Sequence, residues 1–207
     1  METTSVPYAT LGQLLFTMMG PVGLIPVFAR VAGGAERALR RRVALAAFAL
    51  ACAALALATL VGASILASSG TRPEALIIAA GLVLTLVSLR NVLAIGAPAA
   101  PAAAPPPLSL AAALQPLAFP TMVQPYGVGV LIIFVAYFPA TEHKLGILSV
   151  ALAVMAINLA AMLAARRIMA WVGVVPLIIL GAVLSILQVA LGIQMLLNGF
   201  ARAGVWG

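Results

Sequence analysis

Long apolar runs alternate with short polar loops along the whole chain. Six runs approach or exceed the roughly 20 residues that a membrane-crossing helix needs. They are Tyr8–Ala29, Val43–Ala67, Glu74–Ile95, Ala111–Phe138, Leu145–Ala165 and Val174–Phe200. The fourth is too long for one straight span and contains Pro116, Pro120 and Pro125, so it reads as two half-segments meeting at a break. The first is also interrupted, at Gly20-Pro21-Val22-Gly23, and the fourth carries the matching run Gln124-Pro125-Tyr126-Gly127. Pro21 and Pro125 are 104 residues apart in a chain of 207. Proline removes a backbone donor and clashes with the preceding helical turn. In hydrocarbon such a break survives only where it is buried in protein or lines a cavity.

A second echo links the halves. Ala80-Gly81-Leu82-Val83-Leu84-Thr85-Leu86 resembles Leu180-Gly181-Ala182-Val183-Leu184-Ser185-Ile186 at an offset of 100 residues. Each half then reads as a broken span, a plain span and a third span. Three is odd, so the second half enters from the opposite side. The fold expected is all-α, a polytopic membrane protein of six spans in a 3+3 inverted repeat, with spans one and four broken. One transmembrane domain is expected over residues 1–207: a first half 1–95, a cytoplasmic linker 96–110 and a second half 111–207. The linker is uncharged and rich in Ala and Pro, a composition suited to an extended, semi-rigid connector.

Composition supports the membrane reading. Hydrophobic residues make up 65% of the chain, charged residues 7%, and the mean hydropathy is +1.23; soluble domains are nearer 45–50% and about 25%. The net charge of +7 does not point to nucleic acid, because the basic residues flank apolar spans. Arg30, Arg37, Arg40, Arg41, Arg42, Arg90, Arg166 and Arg167 fall on one side, and Arg72, Lys144 and Arg202 on the other. The positive-inside rule then puts both termini outside the cytoplasm. The start Met1–Ser5 has no basic n-region, so the first run reads as a span rather than a signal peptide.

The candidate chemistry lies at the breaks. The second half of a broken helix begins with free N–H groups that favour an anionic group such as a carboxylate. The expected donors are Val22 to Leu24 and Tyr126 to Val128, with Gly23 and Gly127 leaving room for close backbone approach. Carbonyls freed on the other lip would hold an ammonium group or a coupling cation such as Na⁺. Thr17, Gly20, Pro21, Val22, Gly23, Thr121, Gln124, Pro125, Tyr126 and Gly127 are therefore the candidate substrate-binding residues, for a small zwitterion. Asn158, Gln188 and Gln194, polar groups within the fifth and sixth spans, are further side chains available to complete the site, and helix-to-helix hydrogen bonding is the default role for Gln194, Asn198 and Ser185. All four acids lie in termini, loops or span ends, His143 falls in a short loop, and Cys52 is alone. Buried proton relays, metal sites, cofactors and acid–base catalysis have nothing to work with, and no enzyme is expected.

The run Met19-Gly20-Pro21-Val22-Gly23-Leu24-Ile25-Pro26-Val27-Phe28 resembles the first-span motif of the MarC family of integral membrane proteins. Pro116-Leu117-Ala118-Phe119-Pro120 followed by Pro125 is similar to its fourth-span motif. The ending Leu184–Gly199, with Gln194 and Asn198-Gly199, is similar to its last span. The resemblance implies a six-span bacterial inner-membrane protein related to transporters of neutral amino acids such as glycine and alanine. The chain departs from the family pattern beside each proline. It has Gly20 where Asn is usual, and Gln124 where Gly is usual. A membrane scaffold without transport and a passive pore for small solutes are the other classes to be weighed.

Overall fold

The computed structural model describes residues 5–94, 108–109, 111 and 113–205. Most of the expected linker lies outside them. Among the described residues seven helices run in chain order: α1 (Tyr8–Met19), α2 (Pro21–Val31), α3 (Arg37–Ser68), α4 (Pro73–Ala94), α5 (Pro125–Tyr137), α6 (Thr141–Val172) and α7 (Val174–Arg202). An irregular helical segment, Ala113–Met122, precedes α5 and is interrupted by extended backbone at Gln115 and Phe119. No strand occurs among the described residues. Among the described residues five helical stretches are long and apolar enough to cross a membrane, with α1 and α2 together counting as one of 24 residues. The bent pair Ala113–Met122 and α5 adds a sixth if it is one span.

Local sequence sets the ends. α3 stops in a Schellman turn: Gly70, at φ +66°, donates to Ala67 O, and Thr71 N donates to Leu66 O. Only glycine adopts that backbone without strain. Gly173, at φ +78° and ψ 175°, separates α6 from α7 by a different, extended turn in which its own N–H donates to Met169 O at 3.1 Å.

Two helices overrun the expected spans. α3 begins at Arg37 rather than Val43, and α6 runs from Thr141 to Val172 rather than from Leu145 to Ala165. The arginines Arg37, Arg40, Arg41, Arg42, Arg166 and Arg167 therefore belong to helices, not loops, and His143 sits in the first turn of α6. Hydropathy falls where charge begins, but Arg and Lys are good helix formers and the backbone hydrogen bonding simply continues.

Specific approaches fix helix directions. Tyr8 meets Gly146, Gly12 faces Val150, and the Met19 carbonyl meets Asn158, so residue numbers rise together and α1 runs parallel to α6. Ile78 meets Gly199, Gly81 meets Gly192, and Ser88 meets Gln188; here the numbers run oppositely, so α4 and α7 are antiparallel. Both directions are those of a chain that alternates its crossings.

The two ends of the bundle differ in charge. The end of α2, the start of α3 and the end of α6 gather Arg37, Arg40, Arg41 and Arg166 around one cavity. At the opposite end Arg72 pairs with Glu74 at 3.3 Å, Tyr137 lies 3.4 Å from Glu74 Oε1, and the Arg202 guanidinium stacks 5.2 Å from the Tyr137 ring.

The core runs through the middle of α6 and its neighbours, with Leu11, Leu15, Met18, Met19, Leu55, Met122, Leu131 and Met155 almost fully buried. Outer faces carry Leu57, Ile65, Leu86, Ile178, Ile179 and Leu187 exposed, as a surface in contact with lipid requires. α7 touches the bundle mainly along α4, through glycines: a Cβ on Gly81 would lie 2.8 Å from Gly192 O, and one on Gly192 2.9 Å from Gly81 O. Small residues let two backbones approach this closely, the usual basis of helix association in membranes.

Candidate functional site

In a helix each carbonyl accepts from the N–H four residues on. The partner of Thr17 O would be the N–H of residue 21, and Pro21 has none. The partner of Thr121 O would be the N–H of residue 125, and Pro125 has none. Each half thus has a threonine carbonyl freed by the break proline, at the same offset of 104 residues. A side-chain amide satisfies each one. Gln188 of α7 donates through Nε2 to Thr17 O at 2.6 Å, and Gln124 donates through Nε2 to Thr121 O at 3.4 Å.

The first break is also held from α6. Asn158, fully buried, donates through Nδ2 to Met19 O at 2.7 Å. Gln188 is further fixed by Ser88, whose hydroxyl donates to its Oε1 at 3.3 Å. Three elements distant in sequence therefore converge on the end of α1. The Oδ1 atom of Asn158 is buried and accepts no hydrogen bond. A buried acceptor without a partner costs about 1–3 kcal/mol, so this atom is the site's open valence.

The breaks meet. Gly127, in the first turn of α5, packs on the side chain of Met19, the last residue of α1; a Cβ on Gly127 would lie 2.5 Å from Met19 Sδ. No side chain caps the N-terminus of α2 or of α5. Gly20 is extended at φ −76° and ψ 175°, and a Cβ there would collide with the carbonyl oxygen of Phe16.

Several expected site residues take different roles. Gly23 is exposed and a Cβ there meets nothing within 4 Å, so it does not line the junction; it sits on the outer face of α2, where a glycine gives no sign of which way it points. The Thr17 hydroxyl donates back to Gln13 O at 2.8 Å and the Thr121 hydroxyl to Pro116 O at 2.7 Å; at each break the threonine carbonyl is what meets the capping amide. Val128 N already donates to Gln124 O and is not a free donor. From sequence, carbonyls freed by the breaks are expected to hold a cation or an ammonium group, with no particular carbonyl singled out; Thr17 O, Met19 O and Thr121 O each accept from a side-chain amide. Gly20, Pro21, Val22 and Gln124 are half-buried at the junction, Tyr126 is buried, and Pro125 is exposed. The two breaks are also unequal in shape: the second bends by 58°, whereas α1 and α2 continue as one span.

The sequence offers Asn158 and Gln188 as polar groups that could complete the site but does not say which carbonyls they meet. The usable signal was a freed threonine carbonyl in each half together with amides in otherwise apolar spans. Gly127→Leu is expected to displace Met19 and lower the thermal stability of the purified protein, whereas Gly23→Leu should leave it unchanged. Gln188→Leu should cost about 1–3 kcal/mol, by leaving Thr17 O without a donor; a denaturation midpoint against wild type measures it.

A cavity of about 780 Å³ opens at the Arg202 end, lined by Leu14, Phe134, Tyr137, His143, Gln194 and Asn198 among others. The arginine-lined cavity at the other end holds about 850 Å³. Asn158 belongs to neither, and Met18, Met19, Met122 and Met155 around the junction are at most 1% exposed.

No curated protein and no solved structure matches the chain. The family model described as MarC family integral membrane protein matches residues 7–203. The chain belongs to the MarC family of integral membrane proteins.

Proposed function

We propose that this integral membrane protein is a secondary transporter of a small neutral amino acid or similar zwitterion, working by alternating access around the two breaks. The observation that carries the reading is the buried, unpartnered Oδ1 of Asn158 beside the end of α1. An ammonium group would satisfy that acceptor, and the uncapped N-termini of α2 and α5 suit a carboxylate. The cavities at opposite ends, with a closed methionine-rich junction between them, favour an occluding carrier over a continuous pore.

Packing supports two inverted halves. The pair α1–α2 and α6 contact one another as do the irregular segment with α5 and α3, and α4 pairs with α7. Ser88 and Gln188, 100 residues apart, hydrogen-bond to each other, as equivalent residues do on a two-fold axis. Positive-inside logic puts the Arg37–Arg42 end in the cytoplasm of a bacterial inner membrane and both termini outside.

A second reading is a membrane scaffold without transport. The direct packing of Gly127 on Met19 favours it, because a scaffold needs its breaks closed. Uptake of labelled glycine, alanine and serine into proteoliposomes, with and without ion gradients, separates the two. Saturable uptake is expected; folded protein that takes up none of the three leaves the scaffold.

A further inference from the structure

We propose that the arginine-lined cleft between α2, α3 and α6 binds a phosphate-bearing anion, either the headgroup of an anionic lipid or free phosphate. Four arginines, Arg37, Arg40, Arg41 and Arg166, line this one cavity of about 850 Å³. No acid among the described residues pairs with them. The ion pairs among the described residues are Arg72 with Glu74 and Glu142 with His143, both at the other end of the bundle. Glu36, one residue before α3, is exposed and pairs with no arginine. Like charges gathered on one wall repel, and an anion that accepts hydrogen bonds from several guanidinium groups relieves that repulsion.

Two further features shape the site for phosphate. α3 starts at Arg37 with no side-chain cap, so the positive end of a 32-residue helix faces the same space. Phe28, Met162 and Leu163 give the cleft an apolar wall, which suits the glycerol and upper acyl region of a lipid. Orientation in the membrane requires basic residues near this end but no cavity, and it does not distinguish one arginine from the next. The cleft does: Arg42 and Arg167 lie in the same helical turns and do not line it.

That difference supplies the test. The full chain, purified in neutral detergent, is titrated with short-chain phosphatidylglycerol, with short-chain phosphatidylcholine and with inorganic phosphate at constant ionic strength, following the thermal midpoint. Phosphatidylglycerol or inorganic phosphate is expected to raise the midpoint, and phosphatidylcholine much less. A response to the lipid alone assigns a headgroup site; a response to inorganic phosphate as well assigns a free-phosphate site. Arg37→Gln with Arg41→Gln should weaken binding about tenfold or more, while Arg42→Gln with Arg167→Gln, which removes the same charge, should bind like wild type. Arg166→Gln provides a single-site variant on a different helix should the double variant fold poorly. No shift with either anion, an equal shift with phosphatidylcholine, or equal loss in the two double variants would overturn the proposal. Amino acid uptake plays no part in the readout, so this site and the transport reading stand or fall separately.

Discussion

Replacing Asn158 with leucine is expected to abolish uptake and to lower stability by about 1–3 kcal/mol. The stability loss follows from Met19 O, which has no helical donor and relies on Asn158 Nδ2 at 2.7 Å. Leucine fills a similar volume but donates nothing, leaving that carbonyl buried and unpaired. Within membranes such losses average less than in soluble cores, so the lower part of the range is expected. The functional loss has a different origin, the removal of the open Oδ1 acceptor. Gln188→Leu separates the two effects. It also strips a break carbonyl of its donor, at Thr17, but leaves Oδ1 in place. The Gln188 variant should therefore match Asn158→Leu in destabilisation while retaining measurable saturable uptake. Wild-type uptake by Asn158→Leu would show that substrate does not engage this atom.

Gly192→Leu should have the largest effect on folding, about 3 kcal/mol or more. At Gly192 the α7 backbone lies directly against α4: a Cβ would collide with Thr85 Oγ1 and lie 2.9 Å from both Gly81 O and Thr85 N. Thr85 cannot swing freely, because its hydroxyl donates to Gly81 O at 2.8 Å. The helices must separate, and with them the Ser88–Gln188–Thr17 chain of hydrogen bonds that ties α4 and α7 to α1. The control lies on the same helix. Gly181 meets nothing within 4 Å, so Gly181→Leu should behave like wild type. Size-exclusion profiles and thermal midpoints in detergent measure both; equal behaviour of the two variants would refute a glycine-based α4–α7 seam.

That contrast shows what could be read from the chain. Gly81 and Gly181 occupy matching places in the sequence echo, yet one is pressed against a neighbouring backbone and the other is open. Hydropathy and proline are local signals, so the apolar runs and the helix starts at Pro21 and Pro125 were visible directly. Helix ends were less so, because Arg37 to Arg42 end the apolar pattern without ending the hydrogen-bond ladder. Which carbonyls Asn158 and Gln188 would meet was hidden, since those partners lie 139 and 171 residues earlier in the chain. Span periodicity carries no information about such pairs. Gln124 was visible because its partner, Thr121 O, is three residues away.

The origin of each amide has a mechanical consequence. Gln124 travels with the carbonyl it serves, so the second break can pivot without surrendering that hydrogen bond. The first break is anchored to two other helices, and α1 cannot shift against α6 or α7 without breaking the bonds at Met19 O or Thr17 O. Halves that echo each other in sequence would then divide the labour, one serving as the fixed jaw and the other as the hinge.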